Sequence, residues 1–287
     1  MRVFVGASLV VTALLCALPL RAEEKVQIKP DVVYGHKDGM ALTMDVYTPT
    51  ENANGAGVLF MVSGGWYSGW VPPEKSLPMF QPLLDAGFTV FAVRHGSSPK
   101  YVIPEIVQDV RRSVRFVRKN AEQFTIDADR LGVTGWSAGG HLSLVLGTTA
   151  DEGDPKAADE VLRQSDRVAA VVAYFPPTDI RPWVDESSQY RKNYPALGIT
   201  AQQGEEFSPL LHVSQDDAPT LLVHGDADTL VPLDHSERIM AEFEKHKVPA
   251  ELLVIEKAGH GFPGEQGHRA SKALVDWFNR HIGEAAK

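Results

Sequence analysis

The sequence predicts an α/β protein built on a mostly parallel, doubly wound sheet. Short apolar runs alternate along the chain with segments of helix length, and the later runs are continuously apolar. Such strands are buried on both faces, and helices between them supply the crossover connections that parallel pairing requires. The composition, with 44% hydrophobic and 23% charged residues, is that of an ordinary soluble globular protein rather than a disordered or fibrous one.

The first two predicted strands, residues 32–34 and 40–47, form an antiparallel hairpin at the edge of the sheet. The turn between them contains Asp38-Gly39, a dipeptide that favours tight hairpins. The other strands are predicted at residues 58–62, 88–93, 131–134, 168–174, 220–223 and 252–255. No linker or repeat divides the chain, so one catalytic domain is expected.

The clearest helix is predicted over residues 106–121, where Val107, Val110, Val114 and Val117 recur at spacings of three and four. Its opposite face is basic, and we interpret this face as solvated rather than as an anion site. A last helix is predicted around residues 271–281. The acidic run 151–160 lacks the spacing of a calcium loop and predicts a solvated surface loop.

Residues 177–218 also interrupt the alternation of strands and helices. This segment is polar with scattered aromatic residues, and it falls where a small lid over a site would be inserted. It carries too many charged residues for the large apolar lid of a triglyceride lipase.

The first 22 residues have the order of a secretory signal peptide. Arg2 precedes an apolar stretch at 3–20, and the small residue Ala22 stands before two glutamates. A membrane anchor is the alternative, whereas lipid attachment at Cys16 is not expected because Leu15 precedes it. Cleavage after Ala22 would give a secreted or periplasmic domain, residues 23–287, without cysteine. Disulfides, a cysteine nucleophile and a thiolate metal site are then excluded.

The formal net charge of −9 argues against partners that carry negative charge. An acidic surface repels phosphate backbones and anionic lipid, so neither nucleic acid nor a membrane is an expected partner of the mature chain. No cluster of histidine and carboxylate residues has the spacing of metal ligands, and we expect no metal and no cofactor.

The most informative motif is Gly135-Trp136-Ser137-Ala138-Gly139. It directly follows the predicted strand 131–134 and precedes a stretch of helical character. Gly-x-Ser-x-Gly in this setting predicts a nucleophile elbow, a turn so tight that its neighbours must be small. Ser137 is therefore the candidate nucleophile.

A serine nucleophile needs a base, and the base needs a carboxylate to orient it. In chain order Ser, acid, His, both partners should follow later strands, at the edge where open α/β sheets place their sites. His260 follows strand 252–255 and lies between two glycines, whereas His141 and His224 suit buried imidazoles bonded to backbone groups. Asp226 and Asp228 both follow strand 220–223, and the spacing alone leaves both open.

A tetrahedral intermediate also needs backbone N–H donors for its oxyanion. Ala138 follows the nucleophile at a helix N-terminus, and a second donor should come from the turn after strand 58–62, at Gly65 or Trp66. Trp66, Tyr67 and Trp70 are clustered here. We predict that Tyr67 and Trp70 contact substrate through their aromatic faces; packing of these rings in the core or lid is the alternative.

The sequence resembles the serine esterases of the α/β-hydrolase superfamily. It is most similar to the secreted carbohydrate-esterase and feruloyl-esterase-like group related to the hormone-sensitive-lipase branch. The segments 63–69, 135–141, 208–211, 224–232 and 259–261 carry this resemblance. It implies that Asp228, four residues after His224, is the catalytic acid and that Asp226 is a turn residue. In the His-Gly-Gly-Gly loop of that branch, Ser63 would replace the histidine and Trp66 the third glycine.

These observations predict a secreted serine hydrolase acting on esters of small or aryl acyl groups, on carbohydrate, through an acyl-enzyme. Two alternatives stay open. A dipeptidyl-peptidase-like enzyme shares the order Ser, Asp, His, although the chain provides no gating domain. A non-catalytic binding protein could use the same fold, although such proteins usually lose a member of the set.

Overall fold

The computed structural model describes residues 25–283. Its strands are Val26–Lys37 (β1), Met40–Pro49 (β2), Gly57–Met61 (β3), Thr89–Val93 (β4), Leu131–Trp136 (β5), Ala170–Tyr174 (β6), Thr220–Gly225 (β7) and Ala250–Ile255 (β8). Its α-helices are Pro73–Asp85 (α1), Ile103–Lys119 (α2), Ala138–Thr148 (α3), Gln189–Asn193 (α4), Ala201–Glu206 (α5), Asp234–His246 (α6) and Glu265–Ile282 (α7). All eight predicted strands are present.

The strands form one sheet in the order β1-β2-β4-β3-β5-β6-β7-β8. The pairs β1–β2 and β2–β4 are antiparallel, and every pair from β4 through β3 to β8 is parallel. The predicted α/β fold with antiparallel N-terminal edge strands is confirmed. This topology brings the carboxyl ends of β3, β5, β6, β7 and β8 to one edge of the sheet.

The sheet separates two hydrophobic layers. Helices α2, α3 and α6 cover one face, where the valine stripe of α2 is completely buried. Helices α1 and α7 cover the other face with Phe80, Leu83, Trp277 and Phe278. Helix α1 was not predicted because Pro78 and Pro82 interrupt its pattern.

The prediction of a solvated basic face on α2 is wrong for part of that face. Arg115 is only 8% exposed, and Arg111 and Arg115 both contact the fully buried carboxylate of Asp166, at 2.6 and 3.1 Å. Asp151 also pairs with Arg115, and Asp159 pairs with Arg112 of the same face. The acidic segment is at the surface as predicted, but several of its carboxylates pair with basic residues of α2. Two sequence segments that look solvated separately therefore cover each other.

The predicted signal peptide and Cys16 lie outside the described residues. Within residues 25–283, none of the helices is both long and apolar enough to cross a bilayer.

Candidate active site

Ser137 occupies a sharp turn between β5 and α3. Its φ of 53° lies in the left-handed region, and its N–H group donates to the Tyr174 carbonyl at 2.9 Å. A Cβ on Gly135 would lie 2.5 Å from the Gly139 carbonyl carbon, and a Cβ on Gly139 would lie 2.6 Å from the Met61 oxygen. Only glycine fits at both positions, which explains the elbow sequence.

His260 lies in the loop after β8, and its imidazole contacts the carboxylate of Asp228. The distance from Nδ1 to Oδ2 is 2.6 Å. A carboxylate can only accept hydrogen bonds, so Nδ1 carries the proton and donates a hydrogen bond to Asp228. Nε2 is then left with its lone pair. The other carboxylate oxygen accepts from the N–H groups of Leu230 and Val231, at 2.9 and 3.0 Å. The carboxylate is thereby fixed at a buried position of the loop that follows β7.

The two aspartates after β7 have different surroundings. Asp226 is exposed and accepts a hydrogen bond from the Lys257 N–H group, joining two loops. Asp228 is 6% exposed and is the one that faces His260. The structure thus places Asp226 in the position of a turn residue, as the family resemblance implies.

Ser137 and His260 are brought to the same edge by a short backbone segment. The Tyr174 carbonyl accepts from Ser137, and the ring of the next residue, Phe175, lies 4.4 Å from the imidazole between ring centroids. Within the described residues, no hydrogen bond joins the Ser137 hydroxyl to His260. Catalytic hydrogen bonds are often long without substrate and tighten in the complex.

The turn from Gly64 to Tyr67 presents two free N–H groups beside Ser137. Gly64 and Tyr67 exchange backbone hydrogen bonds of 3.0 Å, and the central residues Gly65 and Trp66 have φ of 57° and 62°. Positive φ at both central positions is the pattern of a type I′ turn. Neither central N–H group has a partner among residues 25–283. Ala138, the first residue of α3, adds a helix N-terminal N–H group.

A narrow pocket adjoins the candidate nucleophile and these donors. Its cavity of about 10 Å³ has room for roughly one water-sized group. Its far wall comes from the segment 177–218, through Trp183, Tyr190 and Tyr194. The Trp183 and Tyr190 rings stack at 4.0 Å, and the Tyr190 hydroxyl donates to the Leu230 carbonyl. The inserted segment therefore closes this side of the site.

A much larger groove opens on the other side, between α1 and α7. Its volume is about 950 Å³, and its lining includes Trp136 beside the nucleophile and Phe262 beside the histidine loop. Trp136 is 43% exposed. The walls are mostly apolar, and Gln81, Lys272 and Asp276 add polar groups. The groove meets the site at Trp136, Phe175 and Gly261, while Ser137 and His260 themselves are outside its lining. A further pocket of about 310 Å³ adjoins Ser63 and Gly64, so the site is narrow where the segment 177–218 faces Ser137.

The predicted substrate contacts Tyr67 and Trp70 are exposed, at 44% and 58%. Neither lines the narrow pocket or the groove. Trp66, the third member of that cluster, is buried, which is the alternative of core packing for this ring. Sequence reasoning missed Trp136, because it was treated only as the spacer of the elbow motif. It also missed Phe175, whose position after β6 carries no recognisable motif.

The sheet topology and the elbow define an α/β-hydrolase fold. The BD-FAE family matches residues 44–243, and the chain belongs to this family. A truncated form of a carbohydrate esterase from gut microbiota is a similar solved structure. It has a TM-score of 0.75 and 28% identity, covering 90% of this chain and 98% of that one.

Two curated relatives are enzymes that act on esters. The probable carboxylic ester hydrolase LipM of Mycobacterium tuberculosis is 26% identical over 257 residues, covering 85% of this chain and 58% of LipM. The ethyl acetate hydrolase of Pseudomonas putida is 29% identical over 245 residues, covering 79% and 73%. The chain thus spans about three fifths of the length of the mycobacterial relative.

Proposed function

We propose that the chain is a secreted serine esterase that cleaves short acyl groups from carbohydrate through a Ser137, His260, Asp228 triad. The observation that carries the proposal is the 2.6 Å contact between His260 and Asp228 at the sheet edge where the elbow presents Ser137. The names of the relatives and the gut carbohydrate esterase support ester hydrolysis as the reaction.

In the proposed reaction, Ser137 Oγ attacks the ester carbonyl while His260 Nε2 takes its proton. Asp228 holds the imidazole in the required tautomer and stabilises its positive charge. The oxyanion accepts from the N–H groups of Ala138 and of Gly65 or Trp66. His260 then protonates the leaving alkoxide, giving an acyl-enzyme and a free alcohol, and water completes the cycle by the same route.

The asymmetry of the site supports a small acyl group on a large alcohol. Because His260 gives its proton to the leaving oxygen, the alcohol must lie on the histidine side, where the large groove opens. The acyl group is then directed to the narrow pocket, whose size favours acetyl over aryl groups. Trp136 in the groove offers an exposed ring on which the apolar face of a sugar could stack.

The proposal is tested first by Ser137→Ala. Loss of a triad nucleophile typically lowers kcat by roughly 10⁴–10⁶, and the smaller side chain suits the elbow, so the fold should persist. Activity is followed with p-nitrophenyl acetate, and labelling with a fluorophosphonate probe is followed by mass spectrometry. Wild-type protein that folds but neither turns over nor labels would indicate a binding protein instead.

Acyl specificity is tested with p-nitrophenyl esters of graded length, beside acetylated xylan and methyl ferulate. We expect the highest kcat/KM for acetyl to butyryl esters and little activity beyond about ten carbons. A true lipase would gain about 0.8 kcal/mol per buried methylene. A steady rise in efficiency up to about eight carbons would therefore contradict the short-acyl assignment.

Secretion is tested separately, by the N-terminal sequence of protein recovered from its native host. We expect cleavage after Ala22 and a mature chain that begins at Glu23. Retention of residues 1–22 in a membrane fraction would support the anchor instead.

A further inference from the structure

Trp66 has an unusual backbone for a large side chain. Its φ of 62° lies in the left-handed region, where a bulky side chain strains the backbone. Glycine would adopt this conformation freely, yet the chain places tryptophan there. Something in the surrounding structure must therefore hold Trp66 in position.

The indole of Trp66 supplies that anchor. It is 1% exposed, and its Nε1–H group donates to Nδ1 of His141 at 3.3 Å. The imidazole also meets the indole edge to face, with ring centroids 5.5 Å apart. Tyr194 of the inserted segment packs against the indole at 6.2 Å. The indole is thus enclosed between helix α3 and the segment that closes the narrow pocket.

His141 is oriented by a second bond. Its Nε2 lies 2.8 Å from the carbonyl oxygen of Phe207, the residue that ends helix α5. Since a carbonyl only accepts, Nε2 donates and Nδ1 is left to accept from Trp66. Burial lowers the pKa of His141 to about 4, which keeps the imidazole neutral and this pattern intact near neutral pH. His141 itself lies one helical turn after the candidate nucleophile.

We propose that Trp66 and His141 form a positioning pair. The pair aligns the turn from Gly64 to Tyr67, here called the oxyanion turn, with the nucleophile elbow at Ser137. The inference rests on the proposed esterase function and assigns no new chemical step. His141 follows Ser137 on a rigid helix, and through the indole it fixes the turn that carries the free N–H groups of Gly65 and Trp66. The Phe207 carbonyl ties the same pair to the inserted segment.

Two substitutions at Trp66 separate anchoring from backbone strain. Trp66→Phe keeps an aromatic ring but removes the Nε1–H donor. Trp66→Gly relieves the strain and keeps the main-chain N–H group, but removes the anchor. Because removal of one oxyanion donor costs roughly 10²–10³ in kcat, a displaced donor should cost about tenfold to a hundredfold. We expect this loss in kcat for both variants with p-nitrophenyl acetate, and KM within about twofold.

Substitutions at His141 test the partner. Asn in place of His141 can keep an acceptor near the position of Nδ1, whereas Leu cannot. We therefore expect His141→Asn to retain kcat within about threefold and His141→Leu to lose as much as Trp66→Phe. The double variant Trp66→Phe/His141→Leu should be no slower than either single variant, because both remove the same interaction.

Trp277→Phe is the matched control for a lost buried indole. Trp277 is 3% exposed on α7, and its Nε1 has no hydrogen-bond partner among residues 25–283. This variant should lower stability without changing kcat. Wild-type kcat in folded Trp66→Phe or Trp66→Gly, or effects that multiply in the double variant, would overturn the positioning pair.

The same experiment distinguishes the two proposals. If the esterase function is wrong, wild-type protein shows no turnover and Ser137 takes no fluorophosphonate label. If only the positioning pair is wrong, wild-type protein turns over and labels, and the Trp66 variants match it. Should His141→Leu not fold, the two Trp66 variants with His141→Asn decide the question.

Discussion

Acidification below about pH 6.5 should destabilise this fold through its buried histidines. His95, His141 and His235 are buried, and burial is the main cause that lowers the pKa of each to about 4 from 6.5. Each also uses an unprotonated ring nitrogen as an acceptor. His95 Nε2 lies 2.9 Å from the Ser63 hydroxyl, and His235 Nδ1 accepts from the Thr178 N–H group at 3.1 Å. Protonation would remove those acceptors.

The sign and the size of the effect follow from these pKa values. Between about pH 6.5 and 4 the unfolded chain binds protons at these histidines and the folded chain does not, so stability falls as the pH falls. Each histidine should lower the free energy of unfolding by about 2 kcal/mol between roughly pH 7 and pH 5, and the three together by about 5–6 kcal/mol. Hydrogen bonds from Arg181 and Arg238 depress the pKa of the Asp179 carboxyl. Protonation of this carboxyl therefore lowers the free energy of unfolding only at a pH below the window of the histidines. A loss of this size is a large part of typical stability, about 5–15 kcal/mol.

Urea unfolding at the two pH values, followed by tryptophan fluorescence, measures this difference. Each of the variants His95→Asn, His141→Asn and His235→Asn should reduce the pH difference by about 2 kcal/mol, whatever it costs at neutral pH. The control His268→Asn replaces an exposed side chain and should leave the difference unchanged. Equal free energies of unfolding for the wild type at both pH values, or an unchanged difference in the three variants, would refute the assignment of neutral buried histidines.

Three further predictions concern activity and packing. Asp228→Asn should lower kcat by about 10⁴ because the imidazole loses its orienting carboxylate, whereas Asp226→Asn should stay near wild type; initial rates at matched folding compare them. Trp136→Ala should raise KM for acetylated xylo-oligosaccharides about threefold to tenfold, because the free energy of one ring stacking contact corresponds to about that factor. KM for p-nitrophenyl acetate should not change to match. Asp166→Asn should lower the free energy of unfolding by about 3 kcal/mol, because two arginines lose their buried partner; Glu160→Gln, at an exposed pair, should change urea unfolding little.

The parts of the site that local sequence determines were predictable. The elbow glycines are required by contacts within a few residues of Ser137 and with the neighbouring strand. The motif alone therefore predicts the tight turn. His260 could be selected because it follows a strand and is flanked by glycines. The six later strands were likewise evident from continuous apolar runs, and the Asp38-Gly39 turn indicated the hairpin of β1 and β2.

The parts that depend on contacts distant in sequence were not predictable. Spacing could not choose between Asp226 and Asp228, because the choice depends on which side chain the loop after β7 turns towards β8. The sequence left open whether the Trp66 ring contacts substrate or packs in the core, and a turn with positive φ directs its indole under α3. The burial of Arg115 arises from a segment that follows it by more than thirty residues. Local patterns contain no information on such pairings.

The narrow pocket beside Ser137 is also held by contacts that resist its widening, which bears on the proposed preference for short acyl groups. The Tyr190 ring stacks on Trp183 and its hydroxyl bonds the loop that carries Asp228, while Tyr194 packs against the indole of Trp66. Enlarging the pocket would therefore disturb the turn from Gly64 to Tyr67 or the loop that carries Asp228. Under the proposed function, a long acyl chain would therefore enter only by disturbing the groups that stabilise the tetrahedral intermediate. The larger groove touches the site through Phe175, which packs against His260, while its outer walls come from α1 and α7. In that proposal the alcohol is therefore the part of the ester that has room to vary in size.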